Sequence, residues 1–161
     1  MSISGARPGV QARDATGQLD RDETGAVRRL RLIIADDDPV VRAMLEMSLG
    51  ERFDVVGMAA DSGDAIELAR VKQPDGAVID VEMPEGGGLS AVRGIRDVAP
   101  ATAVVVLSID ESDTAVRELM QAGAMAYLRK GSEPEVLANC LTESIKAHAH
   151  WARNAPSAAI A

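Results

Sequence analysis

The residues best suited to chemistry in this sequence are carboxylates that follow short apolar runs. Asp36-Asp37-Asp38-Pro39 follows Leu32-Ile33-Ile34-Ala35, and Asp80-Val81-Glu82-Met83-Pro84 follows Ala77-Val78-Ile79. Ser108-Ile109-Asp110 follows Ala103-Val104-Val105-Val106-Leu107, and Arg129-Lys130-Gly131 follows Met125-Ala126-Tyr127-Leu128. If those runs lie side by side, their ends form a cluster of carboxylates with one hydroxyl and one ammonium. Like charges raise one another's pKa, so such a cluster needs a compensating cation. A hard ion with oxygen ligands provides it, and Mg2+ suits a site with few protein ligands and room for water and a phosphoryl group. A carboxylate beside that ion can be a nucleophile toward phosphorus. A lysine would neutralise the added charge, and a serine hydroxyl would bond a phosphoryl oxygen. Phosphoryl chemistry therefore fits these residues better than glycosidic or peptide hydrolysis.

Each piece alone has an ordinary explanation. Asp-Asp-Asp-Pro could simply start a helix, with one Asp as N-cap and the others favoured by the dipole. Asp80 could be a turn residue and Lys130 a solvated charge. The ordinary explanations weaken when all four pieces fall at the ends of alternate structural units.

Those units follow from the pattern of apolar residues. With Asp54-Val55-Val56-Gly57-Met58 there are five short runs, and the first, third and fourth are continuously apolar, as strands buried on both faces should be. Helical spacing fills the intervals. Val41, Met44, Leu45, Ser48 and Leu49 share one face, as do Ala65, Leu68 and Ala69. Leu89, Val92, Ile95 and Arg96 follow a glycine-rich turn, and Ala115, Val116, Leu119 and Met120 end at Gly123, a C-terminal cap. The last helix is expected to open with Ser132 as cap, Glu135 reaching back and Pro134 in the first turn. Its buried stripe would be Val136, Leu137, Cys140, Leu141 and Ile145. Five strand–helix repeats require right-handed crossovers, giving an α/β (βα)5 three-layer sandwich on a parallel five-stranded sheet. Functional groups in such sheets gather at the carboxyl ends of the strands.

Composition bounds the rest. The 161 residues make one domain with tails. Phe53, Tyr127 and Trp151 are the only aromatics, so the core is aliphatic and base stacking on aromatic platforms is disfavoured. A net charge of −8 argues against a general polyanion binder. The single Cys140 allows no internal disulfide and reads as a core residue. With no apolar run near the roughly 18 residues of a membrane span, and no signal-peptide core, the expectation is a cytoplasmic protein with no membrane contact. Residues 1–29 carry five arginines against four acids and few large apolar side chains, and read as a disordered extension. Residues 30–147 hold 11 basic and 21 acidic residues and form the domain, while 148–161 read as a tail. His148 and His150, two apart on a helix, diverge and lack a third ligand, so no metal site is expected there.

The stretch from Arg31 to Ala147 resembles the receiver domain of two-component response regulators. The resemblance is carried by Ile-Ile-Ala-Asp36-Asp37-Asp38-Pro39, Ala-Val-Ile-Asp80 with Met83-Pro84 and Gly88-Leu89, Val-Val-Leu-Ser108, and Gly123-Ala with Tyr127-Leu-x-Lys130. It implies a flavodoxin-like fold with strand order 2-1-3-4-5. It implies Asp80 as phosphoacceptor, Asp37 as a direct Mg2+ ligand, Asp36 acting through water, and the backbone carbonyl of Glu82 completing the protein ligands. Lys130 would contact the phosphoryl group, and Ser108 and Tyr127 would be the switch pair. On phosphorylation the hydroxyl would move toward the phosphoryl group and the ring would swing inward. That remodels the face made by the fourth helix, fifth strand and fifth helix.

The implied donor is a histidine kinase or histidine phosphotransfer protein. The implied output is a protein target on that face, with a homodimer as a further expectation. Only 14 residues follow Ala147, too few for a helix-turn-helix, so the expectation is a stand-alone receiver without direct nucleic-acid contact and without turnover of a separate substrate.

Three departures from the pattern stand out, beside two acids at variable positions. Asp38 replaces a commoner polar residue, with little effect expected on the chemistry. Gly86-Gly87-Gly88 suggests a mobile loop but lacks the Lys-Ser/Thr of a phosphate-binding P-loop. Ile109 stands where relatives usually have a small residue, and is expected to narrow the entrance for small phosphodonors. Glu82 and Asp110 add acids at positions that tune acyl-phosphate hydrolysis. Two rival readings stay open: a receiver-fold binding module that is never phosphorylated, and a Mg2+-dependent phosphohydrolase. Against the latter, the haloacid-dehalogenase-like families place their Asp-x-Asp on the first strand, whereas Asp80-Val81-Glu82 follows the third run.

Overall fold

The computed structural model describes residues 23–84 and 86–155. Strands and helices alternate: β1 Arg31–Ala35, α1 Pro39–Leu49, β2 Asp54–Ala59, α2 Ser62–Lys72, β3 Gly76–Asp80, α3 Gly87–Val98, β4 Ala103–Ser108, α4 Asp113–Ala122, β5 Ala126–Arg129 and α5 Pro134–Asn154. The five strands form one sheet of order β2-β1-β3-β4-β5, and every neighbouring pair is parallel. This is the flavodoxin-like (βα)5 sandwich expected from the alternation. The three continuously apolar runs became the three inner strands. β3 and β4 are buried at every position, whereas β2 and β5 at the edges are half-exposed.

Successive strand residues point to opposite faces, which divides the core in two. Leu32, Ile34, Val78 and Val105 pack with Leu49 of α1 and Leu137, Leu141 and Ile145 of α5. Ile33, Ile79, Val104 and Val106 face the other layer, meeting Ala65 and Ala69 of α2, Val92 and Ile95 of α3 and Leu119 of α4. Phe53 is buried in the first half and Tyr127 packs against the second; the rest of both is aliphatic apart from Met83 and half-buried Met125 and Cys140. Full burial of an aliphatic side chain is worth about 1.5–3 kcal/mol, and both faces of the sheet collect it.

Several local expectations differ from the structure. Met44 is 59% exposed and Val136 48% exposed, although both sit on apolar stripes. Arg96 and Met120, also placed on stripes, are exposed. Helical periodicity sets the direction of a stripe, but its width depends on how far the neighbouring element reaches. Ser132 does not cap α5: its Oγ donates to the Arg129 carbonyl at 2.6 Å, and Glu133 occupies the N-cap without a side-chain cap bond. Pro134 does open that helix. α5 also continues through residues 148–154, beyond the boundary expected at Ala147, and His148 Nε2 lies 2.7 Å from the Pro100 carbonyl oxygen.

Most of the N-terminal extension, residues 1–22, lies outside the described residues, as do 156–161. Arg28 and Arg29, assigned to that extension, are tied to the domain through Asp75 and the Gly50 carbonyl. No helix of the described residues is long and apolar enough to cross a membrane.

Candidate functional site

The parallel sheet brings four strand ends to one edge. β1 runs directly into Asp36, whose backbone N–H donates to the Ala59 carbonyl of β2. The three consecutive acids then divide their work. Asp36 is fully buried, and its Oδ1 accepts from the Asp38 backbone N–H at 2.9 Å. Asp37 is exposed at the edge. Asp38 is the N-cap of α1, accepting from Val40 and Val41 backbone N–H groups at 2.8 and 3.4 Å, with Pro39 opening the helix. The ordinary helix-start explanation thus holds for Asp38 and not for its two neighbours.

Asp80 is the last residue of β3 and is buried. One carboxylate oxygen from each of Asp36, Asp37 and Asp80 lies within 4.8 Å of the others. Lys130 follows β5, and its backbone N–H donates to the Ser108 carbonyl at 2.9 Å. Its Nζ reaches back to Asp80 Oδ2 at 3.0 Å and Asp36 Oδ2 at 3.2 Å. One ammonium therefore serves two of the three clustered carboxylates. The buried Asp36 Oδ2 has only the shared Lys130 ammonium as partner. Three carboxylates with one cation among hard oxygen donors are a good fit for a divalent cation such as Mg2+.

The electrostatics follow from this crowding. Burial pushes the Asp80 carboxyl up to about 6; the Lys130 hydrogen bond opposes that rise, and the Glu82 and Asp36 carboxylates add to it. Burial alone would lower the Lys130 ammonium, but hydrogen bonds and charge attraction from Asp80 and Asp36 outweigh it and raise the pKa. Burial likewise works against ionised Glu82, yet hydrogen bonds, led by that from Ser108, hold it below the usual carboxylate value.

The remaining candidates surround this centre. Ser108 ends β4 and is fully buried. Tyr127 lies in β5 opposite Val106, with its ring packed against the α2–α3–α4 half of the core and its hydroxyl buried without a hydrogen-bond partner. Ile109 is 71% exposed at the rim, so its side chain stands outside the carboxylate cluster. Asp110 turns away: its Oδ1 accepts from the Ser112 backbone N–H at 2.9 Å, at the start of α4. The three glycines are required by the path of the backbone. Gly87 has φ +62°, and a Cβ on Gly88 would come within 2.6 Å of Val81 Cα, so only glycine lets α3 start this close to Asp80.

Sequence reasoning gave Glu82 a backbone carbonyl role and a place as a flanking acid, and missed its side-chain contact with Ser108. Glu82 Oε1 accepts from Ser108 Oγ at 2.6 Å and from the Ile109 backbone N–H at 3.2 Å. The signal was present in part. In-register parallel β3 and β4 pair Asp80 with Leu107, which puts the residues just after each strand side by side. Among the described residues no His or Cys joins a cluster of three possible metal ligands. Cys140 is half-buried near Ser144, and the histidines of α5 contact Pro100 and Asn154.

Comparison with known proteins agrees with this geometry. The response regulator GacA of Pseudomonas aeruginosa is 35% identical over 116 residues, covering 71% of this chain and 54% of the relative. The transcriptional regulatory protein PdtaR of Mycobacterium tuberculosis is 39% identical over 110 residues, covering 68% and 53%. The chain thus spans about half the length of the curated relatives it matches. Among solved structures, a two-component response regulator of the LuxR family from Aurantimonas sp. SI85-9A1 superposes with TM-score 0.70 at 29% identity, covering 74% of this chain and 87% of that one. The response regulator domain of Thermotoga maritima CheB gives TM-score 0.65 at 27% identity, covering 76% and 98%. The family model for the response regulator receiver domain matches residues 32–142, the span that holds the sheet, the acidic cluster and Lys130, and the chain belongs to that family.

Proposed function

We propose that Asp80 accepts a phosphoryl group from the phosphohistidine of a histidine kinase or histidine phosphotransfer protein. An Asp80 carboxylate oxygen bonds to phosphorus, the P–N bond breaks, and the imidazole leaves. Asp36, Asp37 and Asp80, with the Glu82 carbonyl, would hold Mg2+, which when bound supplies neutralising charge for the phosphoryl oxygens. Lys130 carries the remaining positive charge to the transferred group, and Ser108 and Tyr127 couple it to the α4–β5–α5 face. Output is a contact with a protein on that face, a homodimer included, in a cytoplasmic setting without direct nucleic-acid contact by the receiver. The protein carries out only its own phosphorylation and dephosphorylation.

The observation that carries this reading is the buried Asp80 carboxylate 3.0 Å from Lys130 Nζ, with Asp36 and Asp37 oxygens beside it. The test is labelling with a radioactive small phosphodonor in millimolar Mg2+. The expected result is one alkali-labile phosphoryl group per chain, absent from Asp80→Asn. Label that persists in Asp80→Asn, or no label with Mg2+ present, overturns it. Sustained turnover of a phosphomonoester would instead favour the phosphohydrolase. A second reading, the module that is never phosphorylated, draws on one observation: Ser108 already has a carboxylate partner in Glu82.

A further inference from the structure

A hydroxyl has one hydrogen to donate. The hydrogen of Ser108 goes to Glu82 Oε1 at 2.6 Å, while Ser108 Oγ itself accepts from the Asp110 backbone N–H at 3.0 Å. The same Glu82 oxygen takes the Ile109 backbone N–H at 3.2 Å. Two donors at the end of β4 thus converge on one carboxylate oxygen that projects from the loop after Asp80. Ser108 is fully buried, and Glu82 reaches it from the exposed edge of the sheet. Ser108 cannot donate to a phosphoryl oxygen on Asp80 until Glu82 lets go. Meanwhile Tyr127 is already packed against the core with its hydroxyl buried. Both switch residues are drawn inward, and the Ser108 hydrogen is committed to Glu82.

We infer that the Glu82 carboxylate is an internal stand-in for a phosphoryl oxygen. It holds the Ser108 end of the switch, and it competes with the incoming phosphoryl group for the Ser108 hydrogen. This deepens the phosphoacceptor reading and rests on it. The consequence is a switch whose two states differ less than the chemistry at Asp80 alone would produce. A ligand shifts a two-state element only by its differential interaction with the two states, and Glu82 supplies part of that interaction in advance.

The experiment uses the full chain and beryllofluoride with Mg2+ as the probe of the phosphorylated state, comparing wild type with Glu82→Ala and Glu82→Gln. Both variants keep the backbone carbonyl of residue 82. Without beryllofluoride, NMR signals of the Ser108 and Ile109 amides and the Tyr127 ring should move in Glu82→Ala, and beryllofluoride should return them toward wild-type positions. The beryllofluoride midpoint should fall about tenfold in Glu82→Ala, the scale of one charge-assisted hydrogen bond lost by the competitor. Glu82→Gln, which keeps an acceptor but loses the charge, should lie between. A merely structural role for Glu82 would weaken probe binding or leave it unchanged, and either result overturns the inference. If neither wild type nor variants bind the probe, the phosphoacceptor reading fails. The phosphate-free spectra then decide the latch alone, and unmoved Ser108, Ile109 and Tyr127 signals overturn it.

Discussion

β3 carries an aspartate at each end, and the two have opposite surroundings. Asp75, just before the strand, receives Arg28 Nη2 on both oxygens at 2.8 and 2.9 Å and the Arg31 backbone N–H at 2.8 Å. Its own backbone joins β1 and β4, donating to the Arg31 carbonyl and accepting from the Ala103 N–H. Asp80, at the other end, shares one lysine with Asp36 in a cluster that also includes Asp37. Asp75 has its acceptors met and serves as a clasp for strand ends. Asp80 sits in a cluster short of positive charge, which is unfavourable for stability and useful for receiving a ligand. The difference is one of partner count, since the residue type and the strand are the same.

The sharpest way to break this comparison is to remove the shared cation. Lys130→Met should destabilise the protein by about 3 kcal/mol at pH 7.5 without Mg2+, because buried charges lose their partner. Urea unfolding measures it, and a loss no larger than that of Asp75→Asn would show that the two ends are equivalent.

Titration gives the next effect. The folded pKa of Asp80, about 6, lies above its ordinary 3.8, so the folded state holds a proton that the unfolded chain releases. The stability this confers is fully present below about 4 and is lost as pH rises through about 6, a change of about 3 kcal/mol. Glu82 has the opposite sign: its lowered pKa gives stability above its usual value that is lost only at lower pH. The slope between pH 4.5 and 6 should therefore belong to Asp80 and disappear in Asp80→Asn; unfolding curves across that range in the absence of Mg2+ test it.

Mg2+ separates the ends more directly. At tenfold over its dissociation constant it should stabilise wild type by about 1.4 kcal/mol, or about 4 °C in Tm. Asp37→Asn should lose most of that shift and Asp75→Asn none, although Asp75→Asn should itself be destabilised by about 1 kcal/mol through its weakened clasp. Equal Mg2+ shifts in wild type and Asp37→Asn would remove Asp37 from the metal site. The smallest effect concerns the rim. Ile109→Ala should speed labelling of Asp80 by a small phosphodonor about threefold, less than about 1 kcal/mol of barrier, and an unchanged rate would show that Ile109 does not narrow the entrance.

Much of this architecture was legible in advance. Continuous apolar runs marked the inner strands, because a strand covered on both faces has no solvent side to make polar. The acids at the strand ends were legible as a cluster once the runs were read as parallel. What escaped depended on neighbours. Met44 and Val136 obey the helical period yet remain exposed, since no element covers them. Asp110 looked equivalent to Glu82 as a flanking acid, but its side chain is committed to Ser112. The reason for the glycine triplet was also hidden: two of its members have φ above +60° and the third abuts Val81.

The order of residues alone determined the alternation, the aliphatic core and the chemical types available at one edge of the sheet. Those follow from periodicity and from the short range over which a strand or helix is specified. Only the tertiary structure decided which acids share Lys130 and which oxygen holds the Ser108 proton. These outcomes turn on hydrogen bonds of about 3 Å between residues 26 to 94 positions apart in the chain. Local sequence carries no record of a distance that only strand register and side-chain direction set.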